Sequence, residues 1–367
     1  MLIWTFGLTG SRIRLALVGI SVIFATAACG PGSVPPSPTV QPSPTVPPSP
    51  PRSTATAAPD ETLVEQLAGK VSDAKAMKHL QALQKIADEN GGNRAAGTPG
   101  YDASIEYVVD VLRDAGFKTS TPTYETSGGD GEGAGESQRN VIAQTSTGDP
   151  GQVVMIGAHL DSVEDGPGIV DNGSGVATLL QIATQLGAKP SVQNMVRFAF
   201  FGGEENGAKG STGYVEGLSA ADRKKIKLYL NVDMVASPNG GYLVQGGKGS
   251  DQDQAGPPGS ATIGRVLADQ LVKAGVTNPE IIEFVGDDES AFVEAGIPVG
   301  GAENGDADEK TRRQAKAWGG QAGEVYDRCF HQACDTIDNV NREVLSHYLR
   351  ALAGTVAYFA TSTEQLR

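Results

Sequence analysis

The chain has 367 residues, with 43 acidic against 29 basic side chains and a formal charge of −14 at pH 7. That balance argues against a nucleic-acid partner, because binding phosphate needs a basic footprint; it serves solubility first, and carboxylates gathered at a metal site would add to it. A folded part of about 300 residues buries roughly three quarters of its unfolded-chain surface, so the core needs no covalent staple.

The first sixty residues do not read as folded material. Arg12 and Arg14 precede an apolar run, residues 15–24, too short to span a bilayer and suited to the apolar region of an export signal. Small residues and then Cys29-Gly30 follow, so residues 1–28 read as a signal peptide of lipoprotein type with Cys29 as the lipidated residue. Cleavage after a small residue, releasing a soluble protein, is the alternative, and Thr26 stands where lipoprotein signals usually carry leucine. Residues 29–60 are dominated by Pro, Ser and Thr. Proline fixes φ and lacks an N–H, so this stretch reads as an extended, solvated tether ahead of one folded domain, residues 61–367.

Within that domain, residues 77–88 carry Leu80, Leu83, Ile86 and Ala87 at helical spacing, and residues 101–115 form a second helix stopped by Gly116. Residues 128–135 read as a Gly- and Glu-rich loop. Short apolar runs of buried-strand type follow at 153–158, 195–201, 227–232 and 241–244. Helical stretches at 176–186, 261–274 and 342–359 are interleaved with them, and 251–259 and 303–316 read as surface loops. The alternation predicts an α/β fold: three layers, α/β/α, around a mixed but mostly parallel central sheet. Of the three cysteines, Cys29 lies at the signal, which leaves Cys329 and Cys334 as a pair that would be stable in an oxidising compartment.

Three of the strands run straight into candidate chemistry. Residues 153–158 lead to His159-Leu160-Asp161-Ser162, residues 195–201 to Gly202-Gly203-Glu204-Glu205, and residues 227–232 to Asp233-Met234. Ligands bind beyond the carboxyl ends of the strands in open α/β sheets. Asp171-Asn172-Gly173 supplies a further carboxylate before a helix. Taken singly, each has a plain reading: a structural histidine, a solvated Glu-Glu pair, a common Asp-Asn-Gly turn. Together they converge. Only four histidines exist, and His331, in Cys329-Phe330-His331-Gln332-Ala333-Cys334, joins His159 as a candidate ligand, while His79 and His347 read as ordinary helix residues. Two histidines with several carboxylates make an N/O set suited to zinc or a neighbouring divalent metal.

The order His-x-Asp-Ser, Asp-Asn-Gly-Ser-Gly, Glu-Glu, Asn-x-Asp-Met, Cys-x-His-x-x-Cys-Asp resembles that of secreted bacterial two-zinc aminopeptidases, metallopeptidase family 28. The likeness runs from about Arg94 to the last helix. It implies a zinc-peptidase (phosphorylase/hydrolase-like) architecture and a pair of zinc ions per chain bridged by Asp171, with His159 and Asp233 on one side and Glu205 and His331 on the other. It also implies Glu204 as general base toward a metal-bridging water, and a cis Asp171–Asn172 peptide. Asp161, two residues from His159, would accept the second imidazole N–H and fix the tautomer.

Two positions depart from the family. Phe330 stands where relatives carry a tyrosine whose hydroxyl supports the tetrahedral intermediate, for which Tyr326 or Tyr242 could compensate. Residues 286–290, Gly-Asp-Asp-Glu-Ser, lack an arginine that helps hold the substrate amino end; acidic groups could hold it directly. The implied function is removal of N-terminal residues from peptides with a free amino end, outside the cytoplasm, with membrane contact only through a lipid at Cys29. A carboxypeptidase, aminoacylase or glutaminyl cyclase on the same scaffold is the alternative, though the first two need a cation for the substrate carboxylate. A surface-tethered binding module that lost the chemistry is the non-enzyme alternative.

Overall fold

A computed structural model describes residues 59–126, 137–247 and 255–366. The signal peptide, Cys29, nearly all of the tether, the whole 128–135 loop and residues 251–254 lie outside the described residues.

Among the described residues the strands are β1 (Lys118–Ser120), β2 (Thr123–Glu125), β3 (Ser137–Arg139), β4 (Val141–Gln144), β5 (Asp149–His159), β6 (Asn194–Phe201), β7 (Ile226–Val232), β8 (Leu243–Gln245), β9 (Glu280–Ile282) and β10 (Val299–Glu303). β2 and β3 pair apart from the rest; the other eight form one sheet in the order β1-β4-β6-β5-β7-β10-β8-β9. β6, β5, β7 and β10 are mutually parallel. β4 and β1 add antiparallel on one side, and β8 pairs antiparallel with β10 on the other. The sheet is therefore mixed with a parallel centre.

Two cores cover its faces, and strand alternation explains which residues go where. Val154 and Ile156 of β5, with Val196, Phe198 and Phe200 of β6, join the larger core, shared with helices α1 (Glu61–Lys70), α2 (Asp73–Glu89), α3 (Pro99–Asp114) and α4 (Ser174–Leu186). Val153, Met155, Met195, Ala199 and Phe201 point the other way and pack with Val215 and Phe292 from the helices Lys209–Gly217 and Glu289–Glu294. That is the expected three-layer arrangement. No helix among the described residues is long and apolar enough to cross a membrane.

The helix read at 77–88 buries Leu80, Leu83 and Ala87 but starts earlier, at Asp73. α3 begins at Pro99, after Thr98, whose hydroxyl accepts from the Tyr101 amide; proline suits that first position, where its missing N–H costs nothing. α1 has no counterpart in the sequence reading, and its buried Val64 and Leu67 pack on the C-terminal helix Arg342–Thr361.

The reading of 303–316 as a surface loop is corrected. Glu303 ends the buried strand β10, Lys310 is 2% exposed, and Arg312–Trp318 is helical. β10 reads Val-Gly-Gly-Ala-Glu, and its paired glycines hide the strand signal. They are needed for close approach, since a Cβ at Gly300 would come within 2.4 Å of Ile263. Lys310 is buried because its ammonium donates to the carbonyls of Gly240 and Gly319 at 2.8 and 3.0 Å.

Candidate active site

β5 ends on His159, the end of β6 opens into Glu204 and Glu205, and the end of β7 opens into Asp233. Because these strands are parallel neighbours, the three loops leave the sheet on one edge. Asp171 arrives from an irregular turn, Ile169–Gly173, just before α4, and its peptide bond to Asn172 is cis. The turn is held from several sides. The Asp335 carboxylate accepts from the amides of Val170 and Asp171 at 2.9 and 3.0 Å, and the Asn172 side chain donates to the Val232 carbonyl at 2.8 Å.

His159 Nε2 lies 3.1 Å from Asp171 Oδ1 and 3.4 Å from Asp233 Oδ1. His331 Nε2 lies 3.2 Å from Asp171 Oδ2 and 3.1 Å from Glu205 Oε2. Two groups able to hold a metal result, His159/Asp171/Asp233 and Asp171/Glu205/His331, each with its ligand atoms within 4.8 Å of one another. Asp171 belongs to both and gives one oxygen to each side. The five residues singled out as ligands are thus brought to one place from five separate segments.

Electrostatics ask for a cation here. Asp233 Oδ1 and Glu205 Oε1 are buried without a hydrogen-bond partner, a costly arrangement for carboxylates. Burial, and then Asp171, push the Glu205 carboxyl up to about 8. Burial likewise raises Glu204 to about 7, with Asp233, Asp161 and Asp171 adding to it against His159. A divalent ion between the triads would satisfy the orphaned oxygens, and imidazole with carboxylate is a donor set that zinc accepts.

Asp161 is buried beside His159, but its backbone carbonyl, 3.2 Å from Nδ1, is the closer acceptor; its carboxylate stands at 3.6 Å. The carboxylate instead accepts from the amides of Glu204 and Glu205 at 3.3 and 3.4 Å and so fixes the turn that presents both. Cys329 and Cys334 form a disulfide, and the loop between them holds His331 at a φ of 57°. Phe330 stacks on the His331 ring with centroids 3.8 Å apart. Neither tyrosine considered as a replacement donor is free: Tyr326 donates to Gln314 at 2.8 Å, and the Tyr242 hydroxyl lies 2.6 Å from His347 Nδ1.

Two residues escaped the sequence reading as parts of the site. Arg94 is fully buried and donates to the carbonyls of Leu160, Pro167 and Gly168, tying down the chain on both sides of the first ligand loop. Asp335 was visible only as the acid following Cys334. Over the centre lies a pocket of about 290 Å³, reached by Asp171, Glu204, Asp233 and His331 and walled further by Met234, Leu243, Asp287 and Glu303.

A parallel-centred α/β sheet whose strand ends gather two His/carboxylate triads around a shared aspartate is a scaffold for a metal centre. Residues 140–356 match the model of Peptidase family M28, and the chain belongs to that family. It is 41% identical over 305 residues to leupeptin-inactivating enzyme 1 of Streptomyces exfoliatus, an alignment covering 82% of this chain and 64% of that protein. It is 34% identical to the probable lipoprotein aminopeptidase LpqL of Mycobacterium tuberculosis, over 80% of this chain and 86% of that one. The chain thus spans somewhat less than two thirds of the length of the Streptomyces relative. Among solved structures, BSAP, a zinc aminopeptidase from Bacillus subtilis, shares the fold with a TM-score of 0.61 at 16% identity, covering 81% of this chain and 99% of that one.

Proposed function

We propose that residues 61–367 form a zinc-dependent aminopeptidase domain that holds two zinc ions per chain and hydrolyses the first peptide bond of substrates with a free amino end. The two triads sharing Asp171 carry this reading, and the aminopeptidase named among the relatives supports it. His159 and Asp233 would hold one ion, Glu205 and His331 the other, and Asp171 both. Bound zinc acidifies water and polarises the peptide carbonyl. Glu204 takes the proton of the water whose oxygen attacks the carbonyl carbon, and passes it to the departing nitrogen as the C–N bond breaks. Asp161 keeps Glu204 and Glu205 turned inward through their amides, and its carbonyl sets which nitrogen of His159 faces the metal. Asp287 and Glu303 stand in the pocket where a substrate ammonium would lie. Among the described residues no Lys or Arg lines the pocket, which disfavours a carboxypeptidase or aminoacylase, since both must hold a substrate carboxylate.

The same reading places the domain outside the cytoplasm, held by a lipid on Cys29 and the tether of residues 29–60, or secreted. The Cys329–Cys334 disulfide and the likeness to a protein named as a lipoprotein support it. Palmitate labelling that is unchanged in Cys29→Ser would remove the anchor. For the activity, aminoacyl-nitroanilides with free and acetylated amino ends are compared with and without chelator. Free substrates should be cleaved only with metal present; equal cleavage of acetylated ones would overturn the aminopeptidase reading.

A further inference from the structure

The pocket beyond the metal ligands is lined by more carboxyl groups than a free amino end can use. The three ligand carboxylates and Glu204 together balance two zinc ions. Asp287, Glu303, Asp306 and Asp308 also line the pocket, and among the described residues no Lys or Arg does. Lys310, two residues after Asp308, gives its ammonium to the carbonyls of Gly240 and Gly319. One α-ammonium would occupy the inner pair, leaving the outer pair without a cation; Asp306 Oδ1 accepts from the Asp308 amide at 3.1 Å.

The geometry orders those carboxylates along the pocket. Asp233 follows β7, and its amide donates to the Ala302 carbonyl at 3.1 Å, which sets Glu303 beside the metal ligands. Glu303 is 8% exposed, Asp306 is half-buried and Asp308 is exposed, so the acidic wall runs from the metal end to the mouth. The wall is built, because Tyr326 and Asp327 donate their amides to the carbonyls of Asp308 and Asp306 at 3.0 and 2.8 Å. Facing it are Met234, Leu243, Ile282 and Val285; Val285 is 53% exposed, an apolar side chain at the rim. A methylene stem against apolar wall with a cationic head at a wet, acidic mouth is the way lysine and arginine settle on protein surfaces. At about 290 Å³ the space suits one side chain, lying at the small end of ligand pockets, roughly 300–1,000 Å³.

We infer that this pocket selects an N-terminal residue with a cationic side chain, lysine or arginine, whose head is received by Asp306 and Asp308. The inference rests on the aminopeptidase reading for the direction in which substrate enters. It is tested by kcat/KM on the nitroanilides of lysine, arginine and norleucine, the last having the lysine stem without its charge. Lysine and arginine should exceed norleucine at least tenfold at low salt, and the ratio should shrink as salt screens the pair. In Asp306→Asn/Asp308→Asn the lysine-to-norleucine ratio should fall about tenfold, whatever happens to the absolute rate. Norleucine cleaved as well as lysine, or a ratio unmoved in the double variant, overturns the inference. Should the protein cleave none of the three, the aminopeptidase reading fails, and calorimetric titration of the zinc-loaded protein with lysinamide and norleucinamide decides this one separately. Tenfold tighter lysinamide would uphold the cationic pocket, and equal affinities would end it.

Discussion

Glu204 and Glu205 are adjacent in sequence and, in the proposed mechanism, opposite in task. Glu205 reaches His331 at 3.1 Å through one oxygen, while Glu204 lines the pocket above the centre. Glu204→Gln should therefore retain both zinc ions, measured by metal analysis, yet lose at least 10²–10⁴-fold in kcat, the usual worth of a positioned acid–base group. Near-normal kcat would take Glu204 out of the mechanism. Phe330 offers the converse test. Its ring lines the pocket beside His331, and the hydroxyls of Tyr326 and Tyr242 are already committed to Gln314 and His347. Neither of these two phenols is left to donate to a developing oxyanion, and one such donor is worth roughly 10²–10³ in kcat. Phe330→Tyr should raise kcat at least about tenfold, while Tyr242→Phe should leave it unchanged. A Phe330→Tyr enzyme no faster than the parent would mean that the oxyanion needs no phenol.

At the scale of elements, the segment from Cys329 to Asp335 acts as one device. The disulfide closes a loop with a sequence separation of 5, His331 sits in it at a φ of 57°, and Asp335 at its end clamps the turn that presents Asp171. Both sides of the metal cradle thus depend on a stretch that contributes little to the core. So short a loop constrains the unfolded chain by only about 2 kcal/mol. Reduction should therefore weaken zinc affinity by tenfold or more, as loss of outer support commonly does, while the Tm drops by only a few degrees. Zinc affinity unchanged after verified reduction would show that His331 is held by packing alone.

Across the whole molecule, the site sits on the edge of a sheet buried on both faces, so the cradle is rigid while its carboxylates are costly when unpaired. Metal and stability are then linked. A ligand that binds only the folded state adds about 2.7 kcal/mol at a hundred times its Kd. Since about 1 kcal/mol moves Tm by roughly 2–4 °C in a domain of 150–250 residues, chelation should lower the Tm by about 5 °C or more, and zinc should restore it. An identical Tm with and without chelator would mean that the cradle carries no buried charge that needs a cation.

The sequence by itself located the strands β5, β6 and β7 and the candidate ligands beyond them. The apolar runs of β5, β6 and β7 are largely buried, so they carry a near-continuous hydrophobic signal, and each runs on into polar residues that have no place in a core. Those ends named His159, Glu204, Glu205 and Asp233, and the rarity of histidine did the same for His331. What lacked a local pattern stayed hidden. β10 is disguised by Gly300 and Gly301, whose role is to let Ile263 approach, and α1 is stabilised chiefly by packing on a helix at the far end of the chain. Arg94 acts on carbonyls 66 to 74 residues away, and Asp335 on amides about 165 residues away. Only the tertiary structure decided that the Asp161 carboxylate serves the glutamate amides while its carbonyl faces His159, and that Glu303, Asp306 and Asp308 wall the pocket. The physical reason is the same throughout: buried polar groups must find partners or a cation, and those partners are set by which strand ends and loops the closed sheet brings within hydrogen-bond reach.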